Sequence, residues 1–412
     1  MSERTKKILM ATGFLLVVVL IGYLLYTTFF QPTAPPEETS PAITDGEPDT
    51  GTLPGSGEAG DRTLIPDPED PDAAGLPDSP VSPIAIGGLT ETTSLTLTGV
   101  DSPQLGADGQ SLNYYDPSDG RFYTVDRDGN IRALTNNTFP NTDSIVWAND
   151  SSQAIVEFPD GANVVVNMGT GDAVTLPTHW EDFDFAPHNQ QIISKSIGVD
   201  PSNRWLVISN PDGSGAETIA ALGNNADKVD VNWSPNDQVV AFSDTGVTVS
   251  GFGRKQFLAI GKNQENFPGL VVEGLFFDPI WNDTGSKILY STSGPASNYQ
   301  PQIWVTDGQS NTLGDNRRSI ALNTWADKCT FQGDIAYCAV PKNLPEGSGL
   351  QRRLAIGEPD AIYRVDTRSG STQIVGEPDN PTSMTNLNVS ADGSTLFYQD
   401  AINGRLESIR IR

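Results

Sequence analysis

A ten-residue pattern that recurs seven times constrains the fold of this 412-residue chain more than any other feature. Each copy has apolar residues at its first and eighth positions, with the turn formers Pro, Asn, Asp, Gly or Ser between them. The copies are LGADGQSLNY (105–114), WANDSSQAIV (147–156), FAPHNQQIIS (185–194), WSPNDQVVAF (233–242), WNDTGSKILY (281–290), FQGDIAYCAV (331–340) and VSADGSTLFY (389–398). Turn formers between two runs that alternate apolar and polar residues predict a strand, a tight turn and a second strand.

The copies are spaced 38 to 58 residues apart, which is close to the length of a β-propeller blade of four short strands. Candidate third and fourth strands, RFYTVD (121–126) and IRALT (131–135), follow the first copy. We therefore predict an all-β, seven-bladed β-propeller over residues 89–412. Only one strand, RLESIRIR (405–412), follows the last copy, so TSLTLTG (93–99) is predicted to complete the seventh blade and close the ring.

The copies resemble the W/F-S-P-D-G-x-x-φ-x-φ signature of TolB-like, WD-repeat-like bacterial propellers, where φ is an apolar residue. The best match is WSPNDQVVAF, followed by VSADGSTLFY and WNDTGSKILY. The resemblance implies the propeller fold for residues 89–412. It leaves the function open, because such propellers serve as scaffolds, as sensors and as accessory domains of enzymes.

The N-terminal region predicts a membrane anchor. Residues 8–30 form an uncharged, mostly apolar run of 23 residues, which as a helix is roughly 34 Å long and can cross a hydrocarbon core of about 30 Å. Arg4, Lys6 and Lys7 precede it, and basic residues stay on the cytoplasmic side. We therefore predict a cytoplasmic tail (1–7), one N-terminal transmembrane signal-anchor helix (8–30) and an extracytoplasmic propeller, periplasmic or at the cell surface. A cleaved signal peptide, the alternative, usually has a shorter apolar region.

Charge and composition restrict the remaining possibilities. Residues 31–88 contain 12 prolines, 12 acidic residues and one basic residue, Arg62, which predicts a disordered acidic Pro-rich linker. The whole chain has 52 acidic and 25 basic side chains and a formal charge of −27, which disfavours nucleic acid as a partner. With two cysteines and two histidines in the chain, no metal site of the Cys/His type and no cofactor are predicted.

Cys329 and Cys338 lie on the two arms of the sixth hairpin, around Gly333 and Asp334. Reflecting the sequence about that turn places the two cysteines directly opposite each other, where cross-strand Cα atoms are close enough for a disulfide. An extracytoplasmic location would favour the bond. Two buried free thiols are the alternative.

A search for catalytic groups finds no nucleophile elbow of the G-x-S-x-G type. His179 and His188 are interpreted as exposed residues near turns, and DRDGN (126–130) as an Asp/Gly turn that lacks the later glutamate of a calcium loop. We therefore predict no catalytic residue.

Binding residues are predicted from loop length. In a propeller, links between strands two and three and links between blades share one face, and the hairpin turns share the other. We expect the long segments 261–274, 294–301 and 341–359 on the first face. Aromatic, amide and Arg side chains favour binding, and the candidates are Trp180, Asn263, Asn266, Tyr299, Trp325, Arg352 and Arg353. The alternative for each is that its loop packs only on its own neighbours.

These observations favour a non-enzymatic module that binds or scaffolds an envelope protein, a peptide or a glycan outside the membrane. One alternative is an envelope polysaccharide-active enzyme that uses carboxylates at the propeller channel. The other is a purely structural spacer with no ligand.

Overall fold

The computed structural model describes residues 88–411 except Thr245 and Phe252, together with Leu20. The predicted membrane helix (8–30) lies outside the described residues except for Leu20. The predicted linker (31–88) lies outside them except for Gly88. Within the described part, no helix is long and apolar enough to cross a membrane. The chain divides into two units, Met1–Gly75 and Leu76–Arg412, and the fold below is that of the second.

Seven antiparallel four-stranded sheets follow one another along the described chain, which confirms the predicted all-β, seven-bladed propeller. Blade 1 contains β2 (Asp101–Leu105), β3 (Leu112–Asp116), β4 (Arg121–Val125) and β5 (Ile131–Ala133). Blade 2 contains β6 (Ser144–Trp147), β7 (Gln153–Glu157), β8 (Asn163–Asn167) and β9 (Ala173–Leu176). Blade 3 contains β10 (Trp180–Phe185), β11 (Ile192–Ile197), β12 (Arg204–Ser209) and β13 (Glu217–Ala221).

The other four blades have the same order. Blade 4 contains β14 (Val229–Val231), β15 (Val239–Ser243), β16 (Arg254–Gly261) and β17 (Leu270–Glu273). Blade 5 contains β18 (Leu275–Trp281), β19 (Lys287–Ser293), β20 (Pro301–Asp307) and β21 (Arg318–Ser319). Blade 6 contains β22 (Cys329–Gln332), β23 (Ile335–Pro341), β24 (Asp360–Asp366) and β25 (Thr372–Gly376). Blade 7 contains β26 (Met384–Val389), β27 (Thr395–Asp400), β28 (Leu406–Arg410) and β1 (Thr92–Ser94).

Short 3-10 helices occupy some of the connections: η1 (Pro201–Asn203), η2 (Gly223–Lys228), η3 (Pro295–Ser297), η4 (Ala326–Lys328) and η5 (Arg352–Ala355). The first strands of neighbouring blades contact each other, for example β26 with β2, β2 with β6, and β10 with β14. These first strands therefore form the inner ring around the channel, and the fourth strands lie at the rim.

The repeated pattern forms the hairpin between the first and second strands of each blade, as predicted. Its eighth residue is fully buried in every blade: Leu112, Ala154, Ile192, Val240, Ile288, Cys338 and Leu396. In six of these described hairpins the fifth residue has a positive φ between 56° and 65°: Gly109, Ser151, Asn189, Asp237, Gly285 and Gly393. Gly, Asn and Asp recur there because they enter the left-handed region at low cost.

The core lies between the blades and not within them. Buried apolar side chains of residues 88–411 form seven clusters, one at each interface between successive blades. Between blades 5 and 6, for example, Leu289 and Ile303 pack with Ala336 and Cys338. Each sheet thus buries its apolar surface only against its neighbours, which is why the repeats fold together.

The ring is closed by the strand that precedes the first copy of the pattern, as predicted. β1 pairs antiparallel with β28, from Thr92 opposite Ile409 to Ser94 opposite Glu407. The strand is shorter than the predicted range 93–99, although the Leu95 N–H still donates to the Leu406 carbonyl at 2.8 Å and the Leu95 side chain packs in the core between blades 7 and 1.

The predicted register of the sixth hairpin is also confirmed, since Cys329 pairs with Cys338 across β22 and β23. Their Sγ atoms are bonded, and their Cα atoms are 4.0 Å apart.

Candidate binding face

Each end of the ring presents a different class of connection. We call the end that carries the turns between strands one and two and between strands three and four the hairpin face. We call the end that carries the links between strands two and three and between blades the loop face. The two faces differ in how their connections pack.

The hairpin face consists of turns that bond to the turns of the next blade. The Ala391 N–H of blade 7 donates to the Gly109 carbonyl of blade 1 at 2.9 Å. The Asn236 side chain of blade 4 donates to the Gly285 carbonyl of blade 5 at 3.1 Å. The Gly333 N–H of blade 6 donates to the Asp283 carboxylate of blade 5 at 2.6 Å. Polar groups of this face therefore form hydrogen bonds between neighbouring blades, which stabilise the ring.

Asn263 and Asn266 do not lie where the sequence places them. They belong to the turn 262–269 between β16 and β17, which is on the hairpin face, so the assignment of 261–274 to the loop face is wrong. The reason is that β16 is the third strand of blade 4, so the segment that follows it is a turn between strands three and four. The run GVTVS (246–250), in the link before β16, pairs with the start of β16 through hydrogen bonds of Val247 with Gln256 and of Val249 with Arg254. The Asn263 side chain bonds the Glu265 carboxylate within its own turn.

On the loop face, the long links of blades 5 and 6 pack on each other. The Tyr299 carbonyl, in the link between β19 and β20, accepts from the Gly349 N–H at 2.8 Å. The Gln300 side chain donates to the Leu344 carbonyl at 2.5 Å. Tyr299 itself is half-buried. The two links thus form one continuous surface.

Three more predicted residues lie in this region. The Arg352 guanidinium stands 5.0 Å from the ring centre of Trp325 and pairs with the Asp327 carboxylate at 2.6 Å. Trp325 is otherwise buried, whereas Arg353, the next residue in η5, is exposed. The structure therefore brings Tyr299, Trp325, Arg352 and Arg353 to blades 5 and 6 of the loop face.

Trp180 is separate from this group. It begins β10 and is buried in the core between blades 2 and 3. Its carbonyl accepts from the Asn163 side chain at 2.7 Å. In this structure Trp180 packs on its own neighbours.

A groove of about 260 Å³ opens where these links meet the inner strand of blade 5. Its walls include Phe276, Asp278, Thr292, Trp325, Leu350 and Arg352. We call it the blade 5/6 groove.

Phe276 is an unusual residue in this groove. It lies in an irregularity of β18, where the pairing with β19 shifts between Leu275 and Asp278. Its φ is +66°, a conformation that costs a bulky side chain roughly 1–2 kcal/mol. The ring is 62% exposed. Strained, exposed residues of this kind cluster at functional sites.

Asp278 faces the same groove. Asp278 is exposed by surface area, yet desolvation by the surrounding atoms, and then the negative charge of Asp327, raise the pKa of Asp278 to about 6, while Arg352 opposes the shift. Among the described residues, no hydrogen bond or ion pair engages the Asp278 carboxylate. The groove thus combines an aromatic ring with a carboxylate that lacks a partner.

The sequence did not identify Phe276 and Asp278. In LFFDPIW (275–281) the two residues look like ordinary members of an inner strand. The Phe276 ring is exposed at the shift in pairing. Shifts of the same kind place Ser102, Asp182 and Asn386 at positive φ in β2, β10 and β26, but these residues precede the ten-residue copies, so the repeated pattern does not reveal them.

The residues considered for chemistry in the sequence lie in connections between strands. His179 and His188 are both exposed and lie beyond opposite ends of β10. In DRDGN, the Asp126 carboxylate accepts from the N–H groups of Asp128 and Asn130, as in an ordinary turn. No group of three or more His, Cys, Asp or Glu side chains within the described part is arranged to hold a metal.

Comparisons with known proteins bear on the fold only. No protein-family model matches the sequence, and no curated protein matches it significantly. The chain is similar in structure to the β-propeller domain of Myceliophteria thermophila Cps50 (Swd1), with a TM-score of 0.52 and 10% identity over 78% of this chain and 100% of that one. It is also similar to oligogalacturonate lyase from Vibrio parahaemolyticus, with a TM-score of 0.53 and 12% identity over 78% of this chain and 93% of that one. At such low identities these similarities show that the chain shares the propeller fold.

Proposed function

We propose that this protein is a non-enzymatic, membrane-anchored envelope protein whose propeller binds a protein, peptide or glycan partner through its loop face. The anchor rests on the apolar run 8–30 and on the basic residues before it. The binding role rests on the structure of the loop face.

One observation carries the proposal: large apolar side chains are concentrated and exposed on the loop face of blades 5 to 7. We call them the apolar loop patch, and they are Phe276 (62% exposed), Leu350 (44%), Leu354 (47%), Ile356 (65%) and Ile402 (70%). Phe276 and Leu350 share the blade 5/6 groove. Leu354 and Ile356 follow in and after η5, and Ile402 lies beside Gly357. Clustered exposed apolar groups mark interaction sites on soluble domains.

The polar residues around the patch fit the same role. Arg352 and Arg353 border it, and Arg is enriched at protein interfaces. Connections of neighbouring blades are hydrogen-bonded on both faces, but the exposed residues of the apolar loop patch lie on the loop face. The loop face is therefore the end of the ring whose exposed apolar and Arg side chains are available to contact a partner.

A capture experiment with matched variants tests the proposal. The full-length protein is used to capture partners from envelope extract, in parallel with the double variant Leu354→Ser/Ile356→Ser. We expect retention of the partner to fall by about tenfold or more, because central apolar contacts dominate interfaces. The control is Ile131→Ser/Ile374→Ser, which changes residues of similar exposure, 49% and 53%, on the rim strands β5 and β25.

The control variant should retain the partner as the unchanged protein does. Equal loss in both variants would contradict a role for the loop face. If the unchanged protein retains no partner at all, the structural-spacer alternative gains support.

The enzyme alternative has two supporting observations. The pKa of Asp278, raised to about 6 by desolvation and by Asp327, is in the range of a general acid or base near neutral pH. The fold is also that of an oligogalacturonate lyase. Turnover of envelope polysaccharides by the unchanged protein, abolished by Asp278→Asn, would favour this alternative over binding alone.

A further inference from the structure

We propose that the blade 5/6 groove binds a lysine or arginine side chain from a basic segment of a partner protein. The inference rests on the proposed function and specifies the chemistry of the partner. It follows from the groove walls, from the charges around them and from the charge of the whole molecule.

The groove walls offer the two groups that recognise a cationic side chain. Asp278 supplies a carboxylate that no described residue engages, at the wall of the groove. Phe276 supplies an exposed aromatic ring in the same groove. An ammonium or guanidinium group gains from a carboxylate and from an aromatic face at once, and the gain is larger where water is partly excluded.

The charges nearest the groove also favour a cation. Asp327 and Asp230 are the acidic groups that act most strongly on Asp278. Arg352, the cation that acts on Asp278, already pairs with Asp327 at 2.6 Å and stands over Trp325. A cationic side chain would therefore enter a region whose remaining charge is negative.

The whole molecule adds long-range attraction. With a formal charge of −27, it attracts basic partners and repels acidic ones. The same charge would draw any cation to any part of the surface, so the experiment must separate the groove from general attraction.

The test measures fluorescence anisotropy of a labelled peptide, Gly-Ser-Lys-Leu-Ser-Lys-Leu-Ser-Gly, with the full-length protein in a non-ionic detergent. A second peptide carries glutamine in place of both lysines. We expect saturable binding of the lysine peptide and at least tenfold weaker binding of the glutamine peptide. Asp278→Asn should weaken binding of the lysine peptide by about tenfold, as expected for loss of one charge-assisted contact.

The matched control is Asp128→Asn, because Asp128 is an exposed acid in the turn between β4 and β5 on the hairpin face. It removes the same charge, and binding should change by less than about twofold. Equal effects of the two variants, equal binding of the two peptides, or no saturable binding of the lysine peptide would overturn the inference.

Failure of the inference can be told apart from failure of the proposed function. If both peptides bind equally and Leu354→Ser/Ile356→Ser abolishes binding of both, the loop face binds apolar groups but not cations. The proposed function then stands, and the inference falls.

Discussion

Asp184, the residue before the third copy of the repeated pattern, joins one blade to the next. Its Oδ2 atom accepts from the Trp233 N–H of blade 4 at 2.6 Å, and its Oδ1 accepts from the N–H of Phe185 at 2.8 Å. Asparagine side chains form similar hydrogen bonds between other blades. Asn388 of blade 7 accepts from the Leu105 N–H of blade 1 at 3.2 Å, and Asn232 of blade 4 donates to the Pro279 carbonyl of blade 5 at 3.2 Å. Of these three links, only Asp184 can titrate.

Replacing Asp184 with Asn should change how stability depends on pH. Burial raises the pKa of Asp184 to about 6, above the usual value near 3.8. Between those values the folded protein holds a proton that the unfolded chain has lost, so stability falls as pH rises from about 4 to about 6. In the Asp184→Asn variant residue 184 binds no proton, so this fall in stability with pH is absent. Its free energy of unfolding relative to the unchanged protein should rise by about 3 kcal/mol between pH 4 and pH 7, measured by urea denaturation.

A second aspartate provides a control of opposite sign. Hydrogen bonds from Ser390 and Ser394 hold the pKa of Asp392 well below its usual range. Asp392 therefore contributes stability that is present above the unfolded pKa and lost as pH falls. Asp392→Asn should cost more stability at pH 6 than at pH 3. A difference between Asp184→Asn and the unchanged protein that does not vary with pH would rule out the assignment for Asp184.

The candidate residues show what residue types predict and what they do not. Trp180 and Trp325 are binding candidates by residue type, because aromatic side chains favour binding, yet both are buried. Arg352 and Arg353 are candidates for the same reason and lie beside the apolar loop patch. A residue type indicates which contacts a side chain can make, whereas the surrounding strands decide whether the contact is with the protein itself.

At the level of single elements, the tight turns of the hairpins contact the neighbouring blade closely. Gly109 has a φ of +64°, and a methyl group added there would lie 2.5 Å from the Cβ atom of Ala391 in blade 7. The turn therefore requires glycine for two reasons, its backbone conformation and the contact between blades.

Two substitutions separate those reasons. Gly129→Ala introduces only backbone strain, because φ is +81° and nothing lies within 4 Å of the added methyl group. It should cost about 1 kcal/mol of unfolding free energy. Gly109→Ala adds the clash and should cost about 2–4 kcal/mol. Chemical denaturation measures both values. Equal losses of stability would show that the turn at Gly109 is not in close contact with the turn at Ala391.

Element boundaries were predictable where the pattern was regular. The hairpins of all seven blades follow from it, because buried residues at alternate positions and turn formers between them determine a local structure. In blade 4 the expectation that 261–274 lies on the loop face is wrong, because the third strand, β16, ends at Gly261 and the following segment turns back into β17. The length of a segment alone does not show which pair of strands it connects.

At the level of the whole molecule, stability depends on closing the ring between blades 7 and 1. Leu95 is 4% exposed and packs there with Leu112, Phe397 and Leu406. Its N–H donates to the Leu406 carbonyl at 2.8 Å. The residue therefore links the start of the propeller to its end through both its side chain and its backbone.

Leu95→Ala should lower the free energy of unfolding by about 2–4 kcal/mol, as for other truncations of a buried leucine. Leu97→Ala is the control, because Leu97 lies two residues away and is 86% exposed. Its effect should stay within about 0.5 kcal/mol. Thermal and urea denaturation both measure the difference, and a ring that does not depend on this contact would show the same stability for the two variants.

The number of blades and their closure were predictable because they follow from repetition, which accumulates evidence over the whole chain. The blade 5/6 groove was not. A shift in pairing like that of β18 also occurs in β2, β10 and β26, but the groove further requires a Phe at the shift and two links that pack together, which the repeated pattern does not supply. Features without a repeat leave no pattern to compare.

The closure strand also determines how the molecule responds to mechanical load. Any tension that reaches the propeller along the chain from before residue 88 acts on residues 90–94, where β1 has only three residues paired with β28. Hydrogen bonds from Thr92 to Asp379 and from Thr90 to the Glu377 carbonyl share that load with the link between blades 6 and 7. Under a pulling force, the propeller should therefore open at blade 7 while the other six blades keep their own strands.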